Sequence, residues 1–497
     1  MEQPTNAANG TTTIAQQPPK TEAERAAKAE EVLRELTQVP PFSADLLPYL
    51  LRDFSQELAD RYGGVPQADL ALACIATAGT FVSPHAKLET GWGKTAIPSN
   101  LLVIFAPKRN SNLAAAVQHI VAPVLAQQSQ IIQRRVNADP AILDKEIALA
   151  QSRTPSQDAY NSHSSPPRRD LAQCDQLHYL HELLRYRKPI VAVNGLGRAT
   201  LLRALSKSVD GGLFCYSEAL AALPSISPGR NGAGVDFDLL WHCLNRVPIL
   251  GDYDCGNVMF PEASLGGVVI ATPNAVEGWL AHMGEAKSPA DGSLAIRSDA
   301  KGVCVADSVF EPLVRERSWA MRLAALYLLR SAPPEPYFLT MEARIALFKF
   351  HNKALSWASR LPDPAGRMVM AWPHLAVRIA LGVHFTNNTG SAIEAASVEA
   401  GVELARHFGS RQLVAWSKMQ AKGQGDTGEG EVELLLMRIK IKGPLTRRQL
   451  YRTYDDQRKA VHDPAILRLL TDGRIVEDQQ GRLLPAEIKT VTATLPH

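Results

Sequence analysis

Leu101-Leu102-Val103-Ile104-Phe105-Ala106-Pro107-Lys108-Arg109-Asn110-Ser111-Asn112-Leu113 is the stretch on which the fold turns. Its first five residues form a continuous apolar block, as expected of a central parallel strand buried on both faces. A polar loop follows, and from Leu113 to Gln133 the apolar residues recur at helical spacing. Strand, loop and helix in this order is an arrangement in which the unpaired N–H groups of a helix N-terminus can hold phosphate.

Further apolar blocks lie downstream at Ile190–Val193, Leu213–Tyr216 and Gly267–Ala271, each followed by a helical or loop segment. That alternation predicts an α/β fold with a mostly parallel sheet. Upstream, Leu46–Tyr62 and Val65–Val82 read as a helical hairpin broken at Gly63-Gly64. Ala86–Thr90 reads as a strand joined to Leu101–Phe105 through a turn around Gly91-Trp92-Gly93. A helix is expected over Leu171–Tyr186, after a polar insertion from Ser152 to Asp170. From Ser318 the pattern is helical through Ala343–Ala358, Trp372–His384 and Ser391–Phe408, and a Gly-rich linker runs from Lys422 to Gly430.

The last segment predicts helices at Glu431–Ile441, Leu445–Asp456 and Pro464–Thr471. A two-stranded hairpin follows, from Gly473–Glu477 and Gly481–Leu484. Three helices and a hairpin suggest a winged helix, a variant of helix-turn-helix. The expected domains are a disordered tail and charged helix in 1–40, an α/β core in 41–317, a helical bundle in 318–421 and the winged helix in 431–490.

Bulk composition narrows the function classes. The 497 residues exceed what a single hydrophobic core supports, and 45% hydrophobic with 21% charged residues is globular. A net charge of +3 is too small for the whole surface to attract nucleic acid, so such binding needs a local basic patch. Lys440, Lys442, Arg447, Arg448, Arg452, Lys459, Arg468, Arg474 and Arg482 supply one in the C-terminal segment, diluted by Asp455, Asp456, Asp463 and Asp472. Phosphate contact with DNA is one role for them; solvated charges on a protein-binding module is the other. The six cysteines form no C-x-x-C pair, and buried reduced thiols are expected. No metal site is read: His242, Cys243 and Cys255 match no zinc spacing. The N-terminus has no secretory core and no run of about 18 apolar residues occurs, so the expectation is a cytoplasmic chain with no membrane partner.

In order and context, several stretches together resemble the YfjI-like family of prophage, plasmid and integrative-element proteins. They are Ile104–Leu113, Pro189–Gly195, Gly211–Glu218, Leu265–Thr272, Asp291–Arg297 and Trp372–Leu381. The resemblance covers roughly Pro41 to Phe408 and implies a P-loop NTPase (RecA/AAA-like) core of primase-helicase type. A working P-loop needs glycines to close the backbone on phosphate, a Lys for the β and γ phosphates and a Ser or Thr for magnesium. Aligned on Ala106-Pro107, the glycine positions here hold Arg109 and Ser111, the lysine position Asn112 and the Ser/Thr position Leu113. An amide cannot replace a cation facing triphosphate, and Leu cannot ligate a metal. Lys108 and Arg109 remain as an anion-attracting pair. The Walker B counterpart is Ser217-Glu218, where the family has Asp-Glu; Glu218 is either a residual water-activating acid or a cap of a helix beginning at Ala219. Arg297 stands where ring-forming relatives place an arginine that reaches a neighbour's nucleotide, with an interface salt bridge as its plainer role. The family's aromatic at the next position is Ser298 here. His374, Arg378 and His384 read as a polar stripe on a helix.

The resemblance therefore implies an accessory of mobile-element DNA replication or maintenance. Its pseudo-ATPase core needs no cofactor, and its partners are DNA, copies of itself or a replication protein. Two alternatives stay open. One is a divergent active ATPase or helicase using ATP and magnesium at Lys108, Arg109, Glu218 and Arg297; the other is a DNA-binding regulator that senses a small anion.

Overall fold

The computed structural model describes residues 21–82, 86–92, 96–108, 110–137, 191–208, 212–220, 235–253, 256–260, 263–283, 289–302, 312–329, 336–387 and 390–425. Further on it describes 436, 439, 445–446, 449, 466–467, 469–472, 474–478 and 481–485. The tail before residue 21, the 152–170 insertion and the helix expected over 171–186 lie outside the described residues.

Helix α1 (Glu22–Thr37) opens with a capping box. The Thr21 hydroxyl accepts from Glu24 N at 3.2 Å and the Glu24 carboxylate accepts from Thr21 N at 3.3 Å, so two otherwise orphaned donors are satisfied. The hairpin read from sequence is α2 (Tyr49–Arg61) and α3 (Gln67–Val82), the latter buried at every position but its first. Strands β1 (Lys87–Leu88) and β2 (Ile97–Pro98) then pair antiparallel with each other. The expectation that 86–90 would pair with Leu101–Phe105 is thereby corrected. That apolar run instead enters a parallel sheet as β3 (Leu102–Ala106), whose two edges are both taken by parallel neighbours.

After β3 come α4 (Leu113–Asn137), β4 (Val191–Val193), α5 (Arg198–Lys207) and β5 (Gly212–Leu220). Next are α6 (Phe237–Asn245) and the antiparallel hairpin β6 (Ile249–Tyr253) and β7 (Gly256–Phe260), which sequence reading missed. Then follow β8 (Ser264–Ala271), α7 (Pro273–Ala281) and β9 (Ser293–Arg297). The sheet has the order β4-β5-β8-β3-β9, every neighbouring pair parallel. In β3 the register sets Val103 beside Val268 of β8 and Leu294 of β9. Every residue of β3 and β8 is buried. Because side chains alternate across a strand, both faces of the sheet must be covered.

Helix α8 (Glu316–Leu329) follows, then β10 (Phe338–Leu339), α9 (Met341–Ala358), α10 (Ala365–Met370), α11 (Trp372–Asn387), β11 (Ala392–Ile393) and α12 (Ala395–Gly425). These helices do not form a separate domain from the sheet. Helix α11 packs on α3, which lies against β3, β5 and β8, and residues 1–413 form one compact unit. Residues 414–497 form the second unit. The linker expected from Lys422 begins in helix, since α12 continues to Gly425. The stretch Ala365–Asn387 is long and apolar enough to cross a membrane, but 89% of its most apolar window is buried inside the fold, as a core helix would be.

In the second unit, β12 (Leu445–Thr446), β13 (Ile475–Glu477) and β14 (Arg482–Pro485) form an antiparallel sheet ordered β12-β14-β13. Leu436, Ile439, Ile466, Leu469, Ile475 and Leu483 pack into its own small core. Leu445 and Thr446 are strand, not the start of the helix expected there. Thr446 is a capping residue: its hydroxyl accepts from Gln449 N at 3.3 Å, and Gln449 Oε1 accepts from Thr446 N at 2.8 Å.

Candidate functional site

Parallel strands bring all their C-terminal ends to one edge, where open α/β sheets place their ligands. At this edge lie the 107–112 loop after β3, Glu218 in β5, Thr272 after β8 and Arg297 closing β9. The expected residues therefore do converge on one edge. Asn112, Leu113 and Arg297 are committed to the fold, while the Lys108 side chain is exposed.

The loop is shaped by turns rather than by glycines. Lys108 O accepts from Ser111 N at 3.2 Å, and Asn110 adopts the left-handed conformation at φ 61°, which asparagine tolerates better than most residues. Backbone presses directly on it, since a Cβ on Gly302 would sit 2.1 Å from the Asn110 carbonyl oxygen. Asn112 donates from Nδ2 to the Tyr62 carbonyl at 3.0 Å. Leu113 is fully buried as the first residue of α4. Ser111 is half-buried and Lys108 exposed; Arg109 lies outside the described residues.

Tyr62 links the loop to a polar chain. Its hydroxyl lies 2.7 Å from His119 Nε2, and His119 Nδ1 lies 2.9 Å from Glu316 Oε1. Burial raises the Tyr62 pKa; Arg61 opposes the rise and Glu316 adds to it. The turn after α2, the start of α4 and the start of α8 are thus tied together around the loop.

Glu218 lies inside β5, which runs on to Leu220 with an irregular register against β8 between Ser217 and Leu220. The helix expected to begin at Ala219 is not there, so a capping role for Glu218 at that position is corrected. Arg297 forms an ion pair with Glu277 of α7 in the same chain. Its carbonyl accepts from Arg411 Nη2 at 3.1 Å. Beside it, Ser298 donates to Asp69 Oδ2 at 2.5 Å and Arg411 Nη1 donates to Asp69 Oδ1 at 2.5 Å, with Asp69 fully buried. The hydroxyl at position 298 serves a buried carboxylate, which an aromatic ring there could not do.

The opposite edge holds the residue that sequence reading undervalued. Arg378, 1% exposed, donates from Nη1 to Asn100 O at 2.6 Å and from Nη2 to Asn245 Oδ1 at 2.9 Å. Asn100 in turn donates from Nδ2 to Leu265 O at 2.6 Å and to Leu244 O at 3.2 Å. Burial brings the Arg378 pKa down to about 10, with Asp291 opposing the shift. The clue was a lone guanidinium inside the apolar run Trp372–Val383, since a buried cation must find partners. Of its stripe neighbours, His374 lies 3.8 Å from Asp291 and shares that carboxylate with Arg378, whereas His384 stands apart, its Nε2 donating to Gly390 O at 2.7 Å.

Among the DNA-contact candidates, Lys440, Lys442, Arg447, Arg448 and Arg452 lie outside the described residues, as do Lys459 and Arg468. Arg474 is half-buried, and Arg482 is paired through Nε with Asp478 Oδ2 at 2.8 Å. Cys74, Cys215 and Cys243 are free and buried, and burial pushes each thiol pKa up, to about 12 for the last two. Among the described residues no group of three or more His, Cys, Asp or Glu is placed to hold a metal. No protein-family model matches the chain, and no curated protein matches it.

Proposed function

We propose that this chain is an accessory of mobile-element DNA replication or maintenance, with a P-loop-type core that no longer turns over ATP and a C-terminal winged helix that contacts DNA. The observation that carries the first half is Asn112. The side chain that should face phosphate is engaged with the Tyr62 carbonyl, and the neighbour that should hold magnesium is an apolar residue at 0% exposure. Recruiting either for nucleotide would break a hydrogen bond or expose a core leucine, each without supplying a cation or a metal ligand. Arg297 is likewise held by Glu277, which supports a structural use. The resemblance to YfjI-like proteins supplies the setting, and the small antiparallel sheet with a capped helical turn after Thr446 supports the winged-helix reading.

The test is a magnesium-dependent ATPase assay with and without single-stranded DNA. No turnover above background is expected. Turnover that Glu218→Gln abolishes would defeat the reading. For the DNA half, anisotropy with labelled duplex should show affinity that falls with salt. Arg447→Ala with Arg448→Ala should flatten that dependence by about one unit of slope for each phosphate no longer neutralised. Salt-insensitive binding, or none, would move the winged helix to protein recognition.

A further inference from the structure

Helix α9 carries two apolar seams. One, through Leu347, Phe350 and Trp357, is buried in the fold. The other runs through Met341, Ile345, Phe348, Asn352 and Leu355, alternating steps of four and three as the packing seam of a coiled coil does. Phe338 lies in β10, just ahead of the helix. This second seam is open: Met341 is 64% exposed, Ile345 49% and Leu355 41%, with Phe338 ahead of it at 52%. Phe348 is half-buried, with Trp92 edge-on to its ring at 5.4 Å between centroids. Single exposed apolar residues are ordinary, but an ordered row of them along an 18-residue helix, about 27 Å long, marks an interaction surface.

The flanks say what would cover it. Arg344 and Lys349 are exposed on either side of the seam, against Glu342 as the one acid of the helix. Among the described residues neither has a carboxylate partner at ion-pair distance. Lys353 lies further round the helix, its ammonium 4.8 Å from the centre of the Trp357 ring. We propose that this seam docks an acidic amphipathic helix of another protein, its apolar residues against Met341, Ile345 and Leu355 and its carboxylates against Arg344 and Lys349. A second copy of α9 would bring like charges together on both flanks. A membrane surface fits less well, because the open strip is narrow, has Asn352 in its middle, and belongs to a helix whose other face is locked into the core. The inference stands on α9 alone and does not depend on what the core does with ATP.

The probe is a fluorescein-labelled three-heptad peptide with Leu at the a and d positions and Glu at e and g, titrated with the full chain. Its partner control carries Lys at e and g. Saturable, salt-weakened binding is expected for the acidic peptide, with the basic peptide at least about tenfold weaker. Ile345→Glu should weaken the acidic peptide by at least about tenfold while leaving the thermal melt of the chain unchanged, since that side chain is half in solvent. Equal binding of both peptides, no binding of the acidic one at about 100 µM, or indifference to Ile345→Glu would overturn the proposal. So would sedimentation showing that Ile345→Glu abolishes a dimer, or anionic vesicles capturing the chain through the same residue.

Discussion

The two edges of the five-stranded sheet use similar chemistry to different depth. At the N-terminal edge, Arg378 is enclosed and its guanidinium joins the carbonyl of Asn100 to the side chain of Asn245, so that three segments far apart in sequence meet on one cation. At the C-terminal edge, where an ATPase keeps polar groups free for a ligand, Arg297 pairs with Glu277 and Asn112 with Tyr62, but both side chains are only partly buried. Arg297 and Asn112 are tied to partners in the fold as Arg378 is, only closer to solvent.

Damage should therefore be graded by depth. Arg378→Met leaves the Asn100 carbonyl and the Asn245 amide without their shared donor, and the expected loss is about 2–4 kcal/mol, read as a drop in urea midpoint at unchanged slope. A loss below about 1 kcal/mol would mean the cation is not the clasp. Gly292→Ala tests the same edge by sterics. A Cβ there would lie 2.8 Å from Leu244 Cβ and 3.3 Å from the Arg378 guanidinium carbon, both held by the core. About 1–3 kcal/mol is expected, and the variant should lose little more when combined with Arg378→Met because the two share a neighbour.

At the other edge the effects should be smaller. Asn112→Ala removes one part-buried bond to the Tyr62 carbonyl, for about 0.5–1.5 kcal/mol. Asn112→Lys puts a cation in the loop but is expected to give no ATP turnover, because Leu113 offers no metal ligand. Turnover in that variant would break the comparison. Arg297→Ala should cost less than about 1 kcal/mol, because the pair with Glu277 is more than a third exposed on the arginine side and is screened by solvent.

What was legible in the sequence follows the same line between local and distant causes. The apolar blocks of β3, β5 and β8 announce themselves, because burial on both faces leaves no polar alternation to confuse the pattern. Strand β9 did not, since it is short and begins with Ser293. That hydroxyl is kept by Trp279 Nε1 at 3.1 Å, and the strand's free edge is covered where Ala295 N donates to Gln412 Oε1 at 2.8 Å. Both partners lie outside the strand's own sequence. The amide of Asn112 and the apolar Leu113 could be read directly, whereas their use in the fold could not, because Tyr62 meets Asn112 only where α2 and α4 both pack on α3. Arg378 shows the limit most clearly: its partners Asn100 and Asn245 are separated from it by more than a hundred residues each.

The smallest effect concerns pH and compares histidines anchored by backbone carbonyls in the helical layer. His384 bonds the Gly390 carbonyl and His407 the Pro40 carbonyl, each protected from protonation chiefly by burial. Gly390 and Glu394 favour the charged form of His384 while Arg322 disfavours it; Pro40 and Asp69 do so for His407 while Arg411 opposes. The net shift of both is downward from 6.5, so below that pH the unfolded chain takes up protons before the folded one. Their contribution to stability is therefore complete above pH 6.5 and is lost as the pH falls through the depressed folded values. Melting temperature should decline as pH is lowered from about 7 to 5, and His384→Gln with His407→Gln should flatten that decline, since glutamine keeps a donor for each carbonyl and does not titrate. An equally steep decline in the double variant would assign the acid sensitivity to the other histidines lowered by burial, His351 and His374, instead.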